Sequence, residues 1–261
     1  MPFTISHAVI APPISKLTGY RLPISALAIG SMTPDLYRLF TATTYDISHH
    51  WSGIIIPNLL IGLGFCLFWY ALWRPAVFRW IGMVKPLGLT TLKSGIGFIL
   101  SVIVALLIGI SSHLIWDGLT HSDFRTFAFD DFLNQHISLG SHVYPMHRVM
   151  QIGTSAIALP FMFWMLIHYY LKFKEPIQIR SARKCWGWIV FIISLLTASA
   201  YYLTFFQDIG IHLLASDLYV FIGQSVNRFC RMFLLTFSLG CLLFLIIDRI
   251  SRFDSNHIDH T

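Results

Sequence analysis

Four stretches of 20 to 22 residues, Ile54–Trp73, Gly95–Trp116, Ile152–Leu171 and Gly187–Phe206, contain no Asp, Glu, Lys or Arg. About 20 apolar residues are enough for a helix to cross the hydrocarbon core of a bilayer. A fifth apolar run, Met232–Ile247, is shorter and bounded by Arg231 and Asp248. The pattern predicts an all-α polytopic membrane bundle of about five transmembrane helices. The chain is 56% hydrophobic and 11% charged, whereas soluble domains carry roughly a quarter charged residues. That composition excludes a water-exposed globule, and its high apolar content excludes disorder.

Residues 1–53 precede the first run. Pro12, Pro13, Lys16 and Arg21 interrupt any apolar core there, so this segment reads as short helices rather than a signal peptide. Thr33-Pro34-Asp35 reads as a helix start, with Thr33 capping and Pro34 in the first turn. The chain is thus organised as one membrane domain, with an N-terminal segment 1–53, a bundle 54–248 and a polar tail 249–261.

Basic residues orient this bundle. Segments 74–94 and 172–186 and the tail carry eleven Lys and Arg, against six in the segments expected on the other face, with Arg231 at a span edge. The bias places the C-terminus in the cytoplasm and residues 1–53 outside. Because the basic residues are scattered over separate inner segments, they make no face for nucleic acid. The four cysteines form no CxxC pair, which excludes a zinc ribbon or a thioredoxin-like site. Phosphate-binding glycine loops, nucleophile elbows and internal repeats are also absent from the sequence.

Polar chemistry collects in the outer segments. They hold eight of the twelve histidines and eight of the twelve acidic residues, including Asp35, Asp46, Asp117 and Asp123. Imidazole and carboxylate together are the ligand set of zinc and similar divalent ions. His113 and Asp117 stand four residues apart at the end of the second span, so one helix face presents both. His121 follows one turn later if the helix passes Gly118. His7, Asp35 and His49 are the further candidates, although Asp35 could merely stabilise a helix start and His49-His50 an interfacial collar. His142 and His147, beside Tyr144 and Pro145, read as solvated loop residues, and Asp130-Asp131 as a solvated face.

The opening Met-Pro-Phe-Thr-Ile-Ser-His, Gly30-Ser31-Met32-Thr33-Pro34-Asp35, Ser48-His49, Ser112-His113-Leu114-Ile115-Trp116-Asp117 and Arg148-Val149-Met150-Gln151-Ile152-Gly153 resemble an uncharacterised bacterial membrane family, domain of unknown function 4184. More distantly, the order His7, Asp35, His49, His113-xxx-Asp117, His142 resembles zinc-dependent phospholipase C and related membrane-bound metal-dependent hydrolases. That likeness implies a helical zinc site that cleaves phosphoesters. The chain departs from it where Met146, not Glu, follows His142 by four residues, which points to one or two metals rather than three.

These readings converge on an integral protein of the bacterial inner membrane with a divalent metal, zinc first, held at the outer surface. Asp35, His49, His113 and Asp117 are the leading ligands; His7 and His121 come second. An enzyme of this kind would act on a phosphoester of a lipid or lipid-linked substrate through water activated at the metal. The non-enzymatic alternative is a structural metal site or a polar cap on the bundle.

Overall fold

The computed structural model describes residues 4–41, 47–140, 142–175 and 179–258, with the backbone alone after residue 250. Asp46, Met1–Phe3 of the opening motif and the end of the polar tail lie outside the described residues. Close contacts divide the chain into two compact units, one of residues 3–66 with 87–169 and one of residues 67–86 with 170–261.

The first unit begins with a 3-10 turn, Thr4–Ile10, and two short helices, α1 (Ala11–Leu17) and α2 (Ile24–Leu36). Thr33, Pro34 and Asp35 therefore end a helix instead of starting one. The Thr33 hydroxyl donates back to the Ile29 carbonyl (2.7 Å) rather than capping the amides ahead of it. Pro34 sits where its missing N–H costs only one bond of the last turn. Short 3-10 turns at Ile47–His49 and Trp51–Gly53 lead through a π-helical stretch, Ile54–Leu59, into α3 (Leu60–Phe68). A single unbroken helix, α5 (Leu92–Thr120), forms the second span, capped by Thr91 and Ser94; α4 belongs to the second unit.

Packing of α2 on α5 positions everything that follows. Val102, Ala105, Leu106, Gly109, Ile110, His113, Leu114, Asp117, Gly118 and Thr120 are the buried residues on α5, recurring every three or four positions. Such a stripe faces a partner helix. Gly30 and Gly109 bring the two backbones into contact: a Cβ added at Gly30 would lie 2.6 Å from the Leu106 carbonyl oxygen, and one at Gly109 2.5 Å from that of Leu27. Small residues at such crossings let membrane helices approach closely.

After α5 come α6 (Asp130–Leu133) and the antiparallel strands β1 (His136–Leu139) and β2 (His142–Pro145), then α7 (Met146–Phe173). His142 thus lies in a strand and His147 in the first turn of α7, where a loop was expected. Leu139 pairs with His142 across a connection too short to reveal itself by alternation. Pro160 falls inside α7, which begins six residues before the apolar run Ile152–Leu171.

The second unit holds α4 (Arg74–Ile81), α8 (Ser181–Phe205), α9 (Ile211–Ser216) and α10 (Leu218–Ile258). Arg74 and Arg79, in the basic segment 74–94, are helical. Arg228 and Arg231 lie within α10, and Arg228 stacks 4.5 Å over the Phe205 ring. Ala76, Trp80, Val190, Cys241 and Phe244 form its core. Asp248, nearly buried, accepts from Arg79 Nη1 (3.1 Å) and Arg183 Nε (2.9 Å).

Among the described residues, five helical segments are long and apolar enough to cross a membrane: Trp51–Ile81, Leu92–Thr120, Met146–Phe173, Ser181–Ser216 and Val220–Ile250. Each contains one of the apolar runs and is longer than it. The fold is an all-α membrane bundle with one small hairpin.

Candidate metal centre

His113 and Asp117 lie on the packing stripe of α5, on either side of Leu114, and both are fully buried. Their neighbours arrive from three other segments. Asp35 is supplied by the end of α2, His49 by the turn before Trp51, and His7 by the 3-10 turn at the start of the chain. Four distant stretches of sequence therefore meet around one point.

The contacts are evenly spaced. His49 Nε2 lies 3.3 Å from Asp35 Oδ1 and 3.6 Å from Asp117 Oδ2, while His113 Nε2 lies 3.5 Å from Asp117 Oδ2. Charge-assisted hydrogen bonds between nitrogen and carboxylate run at about 2.7–2.9 Å, so these atoms are too far apart to be bonded directly. They match the edge of a tetrahedron of N and O ligands about 2.0–2.2 Å from a zinc ion, which is roughly 3.3–3.6 Å. Two triads, His49–His113–Asp117 and His7–Asp35–His113, each offer ligand atoms within 4.8 Å of one another.

Hydrogen bonds at the far sides of the rings point the same way. His113 Nδ1 lies 2.7 Å from the Ser31 carbonyl oxygen, which can only accept, so Nδ1 carries a proton and Nε2 is the nitrogen turned toward the carboxylates. In the neutral ring that nitrogen turns a lone pair toward Asp117 Oδ2, an oxygen that also accepts from Arg125 Nη1 (3.0 Å). Among the described residues neither His113 Nε2 nor Asp117 Oδ1 has a hydrogen-bond partner, an arrangement a cation between them would satisfy. His49 is held likewise. Ser48 Oγ donates to the Pro34 carbonyl (2.7 Å), and so accepts from His49 Nδ1 at 3.1 Å. Asn58, fully buried, donates from Nδ2 to the Ser48 carbonyl (2.7 Å). Fixing the outer nitrogen in this way is characteristic of histidines that ligate metals.

Thr4 Oγ1 donates to Asp35 Oδ2 (2.7 Å). Burial opposes the charge of Asp35, but the facing His49 and His113 rings hold its carboxyl well below the usual range. His7 stacks on His113 with ring centroids 4.0 Å apart, and its Nε2 is 4.0 Å from Asp117 Oδ1. Burial, reinforced by His113, pushes the His7 imidazole down to about 3, so it is neutral and able to ligate.

His121 stands just beyond the helix end, at the cap of α5. Its Nδ1 is 3.1 Å from the Asp117 carbonyl and 3.6 Å from Asp117 Oδ1. The Nε2 atom is buried without a hydrogen-bond partner among the described residues, and His121 belongs to neither triad. Burial pushes it down to about 4. His142 contributes to neither triad, and His147 Nδ1 instead contacts Ser122 Oγ (3.1 Å).

Sequence reasoning missed Ser31, Ser48 and Asn58, whose parts are played by a backbone carbonyl, a hydroxyl and an amide with no chemistry-bearing signature. Arg125 was also missed as a site residue. Its Nη1 donates to Asp117 Oδ2 (3.0 Å), while Nε bonds Asp123 Oδ1 (2.8 Å). Burial opposes the charge of Asp123, and Arg125 more than offsets it, lowering that carboxyl's pKa. An arginine in a polar loop looks ordinary until the fold turns it back onto Asp117.

Compared with known families, residues 1–249 match the model described as a domain of unknown function (DUF4184), and the chain belongs to that family. No curated protein matches the chain, and no solved structure does.

Proposed function

We propose that this member of the DUF4184 family is a membrane-embedded metal-dependent hydrolase acting on a phosphoester of a lipid or lipid-linked substrate. Asp35, His49, His113 and Asp117 would hold the ion, zinc being the first choice for two imidazoles with two carboxylates. His7 stands within reach as a further ligand. The observation that carries the reading is the set of 3.3–3.6 Å separations between ring nitrogens and carboxylate oxygens, with the His113 proton committed to the Ser31 carbonyl.

A divalent ion bound there supplies Lewis acidity and makes water acidic enough to attack near neutral pH. The chain's own groups orient the donors: Ser31 and Ser48 fix the two rings, Asn58 fixes Ser48, and Arg125 holds Asp117. The basic-residue bias favours an outward-facing site with the C-terminus in the cytoplasm of a bacterial inner membrane. A phosphoester at that surface is most readily a lipid's.

Complete burial of His113 and Asp117 favours one second reading, a structural ion closed off from substrate. Metal analysis of the purified protein tests the shared premise. Near-stoichiometric zinc, lost in His113→Ala and Asp117→Ala, supports a metal centre; folded protein without metal ends both readings. Release of phosphate or diglyceride from phospholipid by wild type and by neither variant then selects the hydrolase.

A further inference from the structure

We infer that the loop between α5 and β1, with the first turns of α7, forms a seat for one acyl chain of a membrane lipid. Phe124, Phe127, Phe129 and Phe132 fall within nine residues and are 42–67% exposed. Apolar surface gathered in this way marks contact with a membrane or an apolar ligand. Phe129 and Phe132 join Leu119, in the last turn of α5, and Met150, in the first turns of α7, around a cavity of about 450 Å³.

The occupant follows from where the walls stand. Leu119 and Met150 lie at the ends of two helices long and apolar enough to cross a membrane, Leu92–Thr120 and Met146–Phe173, so lipid around those helices would reach the hollow. Its lining side chains are all apolar, which suits a hydrocarbon chain, and methionine adapts to a flexible one. Phe129 holds a φ of +63°, a left-handed conformation that a phenylalanine adopts only against a steric cost. Strain of this kind persists where the surroundings impose it and gathers at binding sites.

The loop is also tied to the His/Asp cluster. Arg125 bonds Asp117 and Thr126 bonds the His121 carbonyl, while the Phe127 amide donates to the Gly118 carbonyl (3.3 Å). A lipid seated by one chain would carry its headgroup phosphoester beside the cluster. This last step rests on the proposed hydrolase reading, whereas the seat itself does not.

The test uses the full chain in phosphatidylethanolamine–phosphatidylglycerol nanodiscs with a trace of phospholipid bearing an acyl-chain diazirine. After photolysis the labelled residues are mapped by mass spectrometry. Pro160, Phe161 and Trp164 line a comparable apolar hollow along α7 and report ordinary surrounding lipid. Labelling at Leu119, Phe129, Phe132 and Met150 is expected to exceed labelling there by roughly fourfold, the weight of one buried methylene. Met150→Trp, which fills the cavity, should remove the excess without changing metal content. Phe129→Ala, which removes a wall, should do so if Met150→Trp is not recovered folded. Equal labelling at the two places, or an excess that survives both variants, overturns the seat. An excess in protein that binds no metal leaves the seat standing and sinks the hydrolase reading alone.

Discussion

His113 Nε2 and Asp117 Oδ2 face each other at 3.5 Å across one turn of α5, and the ring's only committed proton is on the opposite nitrogen, against the Ser31 carbonyl. With the ring neutral, the Nε2 lone pair meets a carboxylate oxygen already engaged by Arg125 Nη1, and an ion between ring and carboxylate would satisfy the buried nitrogen. Ion binding should therefore stabilise the fold by mass action, by about 2.7 kcal/mol at a free-ion concentration 100 times Kd. Thermal unfolding in detergent should shift upward with added zinc and downward with a chelator. The shift should vanish in His113→Ala and Asp117→Ala. An unresponsive wild type would count against the centre.

Ser48 links the two sides of the site, donating to Pro34 and accepting from His49 Nδ1. In Ser48→Ala the imidazole loses the group that fixes its tautomer. Removing such outer partners typically weakens metal affinity by roughly 10–100-fold. Competition with a fluorescent zinc chelator reads this directly, and an unchanged affinity would show that the serine only packs. Asn58→Leu should weaken binding in the same direction, since the amide holds the Ser48 carbonyl in place.

Spans and candidate ligands were legible to different depths. Apolar runs without charge revealed all five spans because burial in lipid acts on every residue of a run. His113 and Asp117 were legible because a helix has a fixed period. Asp35 and His49 could be suspected by residue type alone; their convergence depends on the α2–α5 crossing, which Gly30 and Gly109 permit and no local pattern announces. Thr33-Pro34-Asp35 shows the limit of local signals. The same three residues suit a helix start, but the apolar packing of Ala26, Leu27 and Ile29 drew the helix in ahead of them. Ser31 acts through its backbone, so its side chain carried no message.

Gly109→Ala and Gly30→Ala should remove metal without touching a ligand. Each added Cβ would press to 2.5 or 2.6 Å on a backbone carbonyl oxygen of the facing helix, and overpacking of this kind costs typically about 1–3 kcal/mol. Moving α2 off α5 carries Asp35 and the Ser31 carbonyl away from His113. Gly97→Ala on the same helix meets no atom within 4 Å and serves as the control. Zinc content and melting temperature measured on all three decide the matter: full metal in Gly109→Ala would mean that the crossing does not set the site.

Asp248 offers the opposite separation, stability without metal. Its carboxylate is 7% exposed and receives Arg79 and Arg183 from two other helices of its unit. Asp248→Ala removes the carboxylate that both guanidinium groups share. Breaking a buried pair from one side costs about 3–5 kcal/mol, but both arginines are about a third exposed, and water screens them. A loss of roughly 1–3 kcal/mol is the expected size after that discount. No candidate ligand lies in this unit, so zinc per folded molecule should stay at the wild-type value. Replacing all three residues by apolar side chains of similar volume should restore much of the loss, because the unmatched charge and not the missing contact is what destabilises. If Asp248→Ala leaves the melting temperature unchanged, the ion cluster contributes nothing measurable to the second unit.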